Sequence, residues 1–275
     1  MLGLPNTIHA LLFDLDGVLT QTAKVHGVAW KETFDRFLRE RDGAGFTPFD
    51  PRRDYDTFVD GKPRLDGTRS FLESRGIELP LGDEGDPPGS ATVYGLSNAK
   101  NDLVLRLIHD GGVEVYPGSV RYVHAARAAK LPCAVVSSSA NCEDVLRAAD
   151  IFHLFDAIVD GLVAKRDHLE GKPAPDTFLA GAKALGVAPA HAAVFEDALA
   201  GVAAGRAGDF GHVVGVDRVG QAEELRRHGA DVVVSDLDEL LDHPSGDTAD
   251  VTGSDTGGDR SGDPATGRPS AEGTA

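Results

Sequence analysis

Cysteine is scarce in this chain. Only two of the 275 residues are cysteine, Cys133 and Cys142, and they form no CxxC pair. This excludes a disulfide-based framework and a cysteine-rich metal site. Because structural disulfides belong to oxidising compartments, we predict that both cysteines are reduced thiols in a cytoplasmic protein.

Basic residues are also few relative to acidic ones. Lysine and arginine number 27 against 44 aspartates and glutamates, which gives a formal net charge of −17. Nucleic acids and anionic membranes bind basic surfaces, so this charge argues against both as partners. It does not argue against a small phosphorylated substrate, which needs only a local basic pocket. An acidic surface is also compatible with the monomer that we predict.

Long apolar runs and several familiar motifs are missing as well. No stretch approaches the roughly 20 apolar residues of a membrane-spanning helix, and MLGLPNTIHALLF lacks the basic start of a signal peptide. There is no GxxxxGK(S/T), no GxGxxG after the first predicted strand, and Ser137 lies outside any GxSxG. These absences argue against a membrane protein. They also argue against a nucleotide hydrolase, a dinucleotide-dependent enzyme and a serine hydrolase.

Composition divides the chain into three parts. Residues 244–275 are mostly Gly, Ser, Thr, Asp and Pro, so we predict an acidic disordered tail there. Residues 21–112 contain helix-like stretches, the last of them over residues 98–112, broken by loops rich in Gly and Pro. They are predicted to form an α-helical cap domain. The cap would be inserted after the first strand of a core domain that comprises residues 1–20 and 113–243.

The predicted core alternates short apolar strands with helices. The strand candidates are residues 8–13, 133–137, 157–160, 191–197, 212–216 and 232–235. Their continuous apolar character indicates strands that are covered on both faces. Alternation with helices predicts an α/β fold with a doubly wound, Rossmann-like parallel sheet. Ligands bind such sheets beyond the carboxyl ends of the strands.

The segment FDLDG brings two carboxylates to the end of the first predicted strand. Asp14 and Asp16 point to the same face because side chains alternate along a strand. A divalent cation such as Mg2+ between them would relieve their repulsion, and Gly17 permits a sharp turn. On these residues alone, capping of a loop or of the next helix explains the pair equally well.

Three further polar clusters end later strands or lie in the loops beside them. The hydroxyls of VVSSSAN, starting at Ser137, would hold a phosphate or cap the next helix. Lys172 in EGKPAPD would neutralise an aspartate–phosphate pair or be a solvated surface lysine. Glu196 and Asp197 form a second acidic pair that would complete a Mg2+ site. Taken together, the clusters predict phosphoryl transfer through an aspartyl-phosphate.

The motifs DLDGVLT, SSSAN, GKPAPD and FEDA resemble, in spacing and order, those of the haloacid dehalogenase superfamily. The resemblance spans the core from Asp14 to Asp197. It implies that Asp14 is the nucleophile, that Asp16 is the general acid/base, and that Ser137 and Lys172 hold the phosphate. It also implies a Mg2+ site made by Asp14, Asp16 through its main-chain carbonyl, Asp197, and Glu196 in or next to that shell.

Within the superfamily, the chain resembles the β-phosphoglucomutase family. The segments TAKVHGVAW, FVDGKPRLDG, NAKND and EVYPGSV carry this resemblance, while Gln21 and Ala140 depart from the family pattern. It implies that Arg64 grips the distal phosphate of a bisphosphate and that Lys100 and Asn101 bind the sugar. The implied substrate-binding residues are His26, Trp30, Arg64, Lys100, Asn101, Ser139 and Asn141.

The activity implied is that of a phosphosugar mutase. It would interconvert β-D-glucose 1-phosphate and glucose 6-phosphate through an aspartyl-phosphate and β-glucose 1,6-bisphosphate. A Mg2+-dependent phosphatase of a sugar phosphate or similar small metabolite is the alternative, because the same core serves both. The presence of Asp14 and Asp16 disfavours a non-catalytic phosphometabolite sensor, and the second aspartate disfavours a dehalogenase.

Overall fold

A computed structural model describes residues 2–242, and a six-stranded parallel sheet is its centre. The strands are β1 Ala10–Phe13, β2 Cys133–Val136, β3 Ala157–Val159, β4 Ala192–Glu196, β5 His212–Val216 and β6 Val232–Val234. Their order is β3-β2-β1-β4-β5-β6, and all neighbours pair in parallel. The predicted doubly wound α/β sheet is thus confirmed. The predicted tail, residues 244–275, lies outside the described residues.

Helices cover the sheet and fill the interval between β1 and β2. They are α1 Thr22–Asp42, α2 Arg64–Ser74, α3 Val93–Gly111, α4 Pro117–Ala128, α5 Cys142–Ala148, α6 Gly161–Arg166, α7 Asp176–Ala184, α8 Leu199–Ala207, α9 Ala222–His228 and α10 Glu239–Asp242. Short 3-10 turns occur at Gly43–Gly45, Phe152–Leu154 and Pro189–His191, and a π-helical turn at Tyr55–Val59. Within the described range, no helix has both the length and the apolar character needed to cross a bilayer.

The two faces of the sheet bury alternate residues of the same strands. On β1, Leu11 and Phe13 pack with Tyr122 of α4 on one face, whereas Leu12 packs with Phe178 of α7 on the other. Every residue of β1 is buried. This explains why the strands are continuously apolar, and it fixes the carboxyl end of β1 in the middle of one sheet edge.

Residues 22–111, which we call the helical insert, have a hydrophobic core of their own. Phe34 of α1 stacks on Phe71 of α2 with ring centroids 4.0 Å apart and on Trp30 at 5.1 Å. Phe49, from the loop between these helices, packs against both phenylalanines. The packing of these aromatic rings holds α1 and α2 together. It thereby fixes the positions of the insert side chains that face the sheet.

Local sequence features determine where one helix begins and how closely another packs. Helix α3 begins at Val93, five residues before the predicted start, because the Thr92 hydroxyl caps it by accepting a hydrogen bond from the Gly95 backbone N–H. Helix α8 follows the second acidic pair, and its sequence LAGVAAGRA carries few large apolar side chains. Its glycines let the helix pack closely on the sheet, because a β-carbon on Gly205 would lie only 3.2 Å from Val213 of β5.

We expect Phe34→Ala to lower the free energy of unfolding by about 3–5 kcal/mol, because it removes the ring at the centre of the aromatic core. Leu105→Ala is the matched control, since Leu105 is 39% exposed on α3 and its loss should stay below about 1 kcal/mol. Urea unfolding measures both values. Equal losses in the two variants would contradict a separate core in the insert.

Candidate active site

The candidate site lies where the carboxyl ends of β1, β2 and β4 meet. These strands are neighbours, and the Asp14 backbone N–H donates to the Phe195 carbonyl at 2.9 Å. A cavity of about 890 Å3 opens above this edge. Eleven residues predicted from the sequence line it: Asp14, Asp16, His26, Trp30, Arg64, Lys100, Asn101, Ser137, Ser139, Asn141 and Lys172. The remaining two, Glu196 and Asp197, lie next to Asp14.

Lys172 is buried between two carboxylates. Its ammonium donates to Asp14 Oδ1 at 2.5 Å, to Glu196 Oε1 at 2.6 Å and to the Val136 carbonyl at 3.1 Å. Burial lowers the pKa of Lys172, but the charges of Asp14 and Glu196 outweigh this effect and raise it above its usual value. The lysine therefore stays protonated and supplies a fixed positive charge beside the predicted nucleophile.

Burial has the opposite effect on the two carboxyl groups. It raises the pKa of Asp14 to about 6, with a further contribution from Asp16, although Lys172 opposes the shift. Burial also raises the pKa of Glu196 to about 7. Both groups therefore carry negative charge that the protein compensates only in part, which is the environment in which a bound cation is most strongly stabilised.

The carboxylates of Asp14, Glu196 and Asp197 form one cluster. One oxygen from each lies within 4.8 Å of the other two, and Gly17 makes the arrangement possible, because a β-carbon there would lie 1.7 Å from Asp197 Oδ2. Burial and the nearby Asp60 raise the pKa of Asp197 well above its usual range. A set of oxygen ligands that is buried except for the half-buried Asp197, with excess negative charge, fits a hard divalent cation such as Mg2+.

The side chain of Asp16 does not join that cluster, although it follows Asp14 by only two residues. The Thr22 hydroxyl donates to Asp16 Oδ1, and His26 Nε2 lies 3.6 Å from the same oxygen. Burial raises the pKa of Asp16. A carboxyl group that is directed into the cavity and readily protonated suits proton transfer, whereas the carboxylate of Asp14 faces the lysine and the acidic cluster.

The helical insert places a lysine and a histidine behind Asp16. Lys100 Nζ lies 2.7 Å from His26 Nδ1 and 4.7 Å from the Trp30 ring centroid. Burial lowers the pKa of Lys100 to about 7 and holds the pKa of His26 well below its usual value. When Lys100 is protonated it can only donate, so His26 then carries its proton on Nε2, which faces Asp16. The Trp30 ring packs in the aromatic core and borders the cavity beside Lys100.

The loop after β2 joins the core to the insert. The Ser137 hydroxyl accepts from the Ser139 backbone N–H at 3.1 Å, and the Ser139 hydroxyl accepts from the Asn141 backbone N–H at 3.2 Å. The Asn141 amide donates to Asn101 Oδ1 at 3.0 Å. The Ser137 and Ser139 side chains thus line the same cavity as Lys172, where hydroxyl groups suit the binding of a phosphate.

Arg64 lies half-buried at the start of α2, on the insert side of the cavity. Burial lowers its pKa, while Glu84 and Asp102 act against that shift. The guanidinium remains a cation at neutral pH, because the unperturbed pKa of arginine is above about 12. The cavity therefore has a positive group on the insert side as well as Lys172 on the core side.

One group near the site, Asp60, was missed by sequence reasoning. Asp60 is enclosed between insert and core, and burial, together with Glu196 and Asp56, raises its pKa to about 8. Ser138 donates its hydroxyl to the Gly61 carbonyl at 2.9 Å and so ties the same insert segment to the β2 loop. The signal for Asp60 was an acidic residue directly before a glycine, but its neighbour Glu196 is more than 100 residues away in the chain.

Comparison with known proteins agrees with this geometry. A β-phosphoglucomutase of Mycobacterium bovis is 57% identical over 247 residues, which are 88% of this chain and 94% of that protein. A fructose-1-phosphate phosphatase of Escherichia coli is 31% identical over 202 residues, 72% of this chain and 90% of that protein. The crystal structure of a β-phosphoglucomutase from Clostridium difficile matches with a TM-score of 0.68 at 28% identity, covering 85% of this chain and 93% of that one.

The sequence profile of one family matches residues 8–209, which extend from the start of β1 through the helical insert to the end of α8. This interval contains Asp14, Ser137, Lys172 and the acidic pair at Glu196 and Asp197, so the match includes every strand end that contributes to the site. The chain therefore belongs to the haloacid dehalogenase-like hydrolase family.

Proposed function

We propose that this protein is a phosphosugar mutase that interconverts β-D-glucose 1-phosphate and glucose 6-phosphate. The observation that carries the proposal is that one cavity holds a nucleophilic carboxylate beside Lys172 and a second cation, Arg64, on the insert side. A sugar bisphosphate has a negative group at each end and matches two such cations. The similarity to β-phosphoglucomutases over nearly their whole length supports the same activity.

In the proposed reaction, phospho-Asp14 reacts with a hydroxyl of the bound sugar phosphate. The hydroxyl oxygen forms a bond to phosphorus, the bond from phosphorus to Asp14 breaks, and Asp16 accepts the hydroxyl proton. The resulting β-glucose 1,6-bisphosphate turns round. Asp14 then attacks the other phosphate, and Asp16 returns the proton to the sugar oxygen that leaves. Lys172 and Ser137 hold the phosphoryl group in both halves.

We propose Mg2+ as the cofactor, held by Asp14, Asp197 and the main-chain carbonyl of Asp16, with Glu196 alongside. Its charge would offset the negative charge of the phosphoryl group during transfer. The three clustered carboxylates support this assignment. We further propose that the enzyme works as a cytoplasmic monomer on a small phosphorylated sugar.

Residues of the insert decide which acceptor receives the phosphoryl group. Arg64 would hold the phosphate that is not reacting, and Lys100 and Asn101 would bind the sugar. His26 would link the sugar to Asp16, which it faces at 3.6 Å. Because the insert covers the cavity, water is kept from phospho-Asp14, and transfer to a sugar hydroxyl is favoured over hydrolysis.

A phosphatase of a sugar phosphate is the second candidate function. A fructose-1-phosphate phosphatase is among the relatives at 31% identity, and the chemistry of Asp14 and Asp16 is the same when water replaces the sugar hydroxyl. The two functions differ only in how completely the insert excludes water and holds the second phosphate.

Product analysis by phosphorus and proton NMR separates the two. With β-D-glucose 1-phosphate, Mg2+ and a catalytic amount of the bisphosphate, we expect glucose 6-phosphate to accumulate. The α anomer and other hexose 1-phosphates serve as controls for specificity. Free phosphate without glucose 6-phosphate would establish the phosphatase and rule out the mutase.

Asp14→Asn should abolish turnover, by a factor on the order of 10^4 or more, because an amide cannot form the phosphoenzyme. The side chain keeps its size, so cooperative thermal unfolding by circular dichroism should persist. Asp209→Asn is the matched control: Asp209 is exposed and precedes β5, at the opposite edge of the sheet. Full activity in Asp14→Asn would refute the nucleophile assignment.

Arg64→Ala should reduce mutase activity by about 10- to 100-fold, the loss expected for a hydrogen bond to a charged group. Hydrolysis of a small aryl phosphate, which has no second phosphate, should change far less. Arg106→Ala, an exposed arginine on α3, controls for general effects of charge on the insert. Equal losses on both substrates in Arg64→Ala would count against binding of the distal phosphate.

A further inference from the structure

The loop Asp217–Gln221, which follows β5 and which we call the β5 loop, contacts both main-chain segments that carry the acidic cluster. Arg218 Nε donates to the Gly17 carbonyl at 2.8 Å. Gln221 Nε2 donates to the Asp197 carbonyl at 3.0 Å. One short loop therefore reaches the turn after β1 and the end of β4, although neither side chain is among those that line the cavity.

Gly17 and Asp197 are themselves in contact. A β-carbon on Gly17 would lie 1.7 Å from Asp197 Oδ2, so the backbone at Gly17 borders the carboxylate directly. Gly17 also has a φ of +86°, which a residue with a side chain adopts only with strain. Hydrogen bonds to the carbonyls of these two residues fix how closely the turn and the carboxylate approach each other.

Arg218 is well placed to hold a carbonyl rigidly. Its Nη1 donates to the Ser235 carbonyl at 2.6 Å and its Nη2 to the Ser119 hydroxyl at 3.4 Å. The guanidinium lies 3.5 Å from the Tyr116 ring centroid, and the side chain is only 13% exposed. These contacts hold the planar guanidinium in a single orientation. The Gly17 carbonyl that it binds is therefore held in place as well.

The β5 loop is also fixed internally. Asp217 Oδ1 accepts from the backbone N–H groups of Val219, Gly220 and Gln221 at 3.2, 2.7 and 2.8 Å. The Asp217 backbone N–H donates to the Val234 carbonyl of β6 at 2.8 Å. The loop therefore forms a rigid support beneath Gln221 rather than a flexible connection.

We propose that Arg218 and Gln221 are positioning residues that hold the Gly17 turn and Asp197 in the arrangement needed to bind the divalent cation. This inference rests on the Mg2+ site of the proposed function. Both side chains act through main-chain carbonyls of the site and touch neither substrate nor cation. Groups that orient metal ligands in this way typically change metal affinity or activity by about 10- to 100-fold when they are removed.

The test measures cation binding directly, with Mn2+ as the probe because it binds the same hard oxygen ligands as Mg2+. The dissociation constant is read from the electron paramagnetic resonance signal of free Mn2+, in protein without substrate. Both Arg218→Met and Gln221→Met remove the donors; methionine matches glutamine in length but is shorter than arginine, so Arg218→Met also loses the contact of the guanidinium with Tyr116. Both should raise the dissociation constant by about 10-fold or more, and Arg218→Lys, which keeps one donor, should raise it less.

Arg206→Met is the matched control. Arg206 is exposed, and it pairs with Asp231 beside the amino end of β5, away from the cavity. Its Mn2+ affinity should stay within about twofold of the wild type. Thermal unfolding of each variant separates positioning from stability, because a purely structural role would lower the melting temperature and leave the affinity unchanged at low temperature.

Unchanged Mn2+ affinity in folded Gln221→Met and Arg218→Lys would overturn the positioning role, and these milder variants decide the question if Arg218→Met does not fold. A wild-type protein that binds no Mn2+, or binds it equally well after Asp197→Asn, would overturn the proposed metal site and this inference with it. Weakened binding in the two donor variants, with Arg206→Met unaffected, would support both.

Discussion

The crowding of carboxyl groups around one buried lysine is the constraint on which the rest of the structure depends. Five acidic side chains approach the carboxyl edge of the sheet: Asp14, Asp16, Asp60, Glu196 and Asp197. Lys172 bonds directly to two of them. Burial disfavours the charged form of every acid in the group, so one lysine leaves most of the negative charge uncompensated. The arrangement is stabilised only when protons, or a cation, occupy the remaining positions.

This constraint also involves the helical insert. Asp60 belongs to the insert, yet burial and the neighbouring Glu196 raise its pKa to about 8. Its segment is held against the core by the hydrogen bond from Ser138 to Gly61 and by close packing of Pro63 on Gly171, where a β-carbon would lie 2.4 Å from the proline ring. The position of the insert and the charge state of the acidic cluster are therefore linked. A substrate that moves the insert would thus also change the protonation of the cluster.

The sequence was sufficient for the parallel sheet, because apolar strands such as Cys133–Val136 differ plainly from the helices between them. It also identified eleven of the residues that line the cavity, because each lies at a strand end or in a motif with recognisable spacing. It did not indicate Arg218, which binds the Gly17 carbonyl 201 residues away. It could not distinguish such a residue from a surface arginine, since a contact to a distant main-chain atom leaves no local pattern.

The different roles proposed for Asp14 and Asp16 follow from their surroundings rather than from their identity. Both are aspartates, two residues apart, and burial raises the pKa of each. Asp14 faces a charged lysine, which favours its carboxylate form, as the proposed nucleophile requires. Asp16 faces the Thr22 hydroxyl and a histidine of low pKa that is backed by Lys100. These partners belong to the insert, so the proposed proton-transfer site is formed by insert and core together. In the proposed reaction, phosphoryl transfer would thereby be coupled to the arrangement in which the insert excludes water.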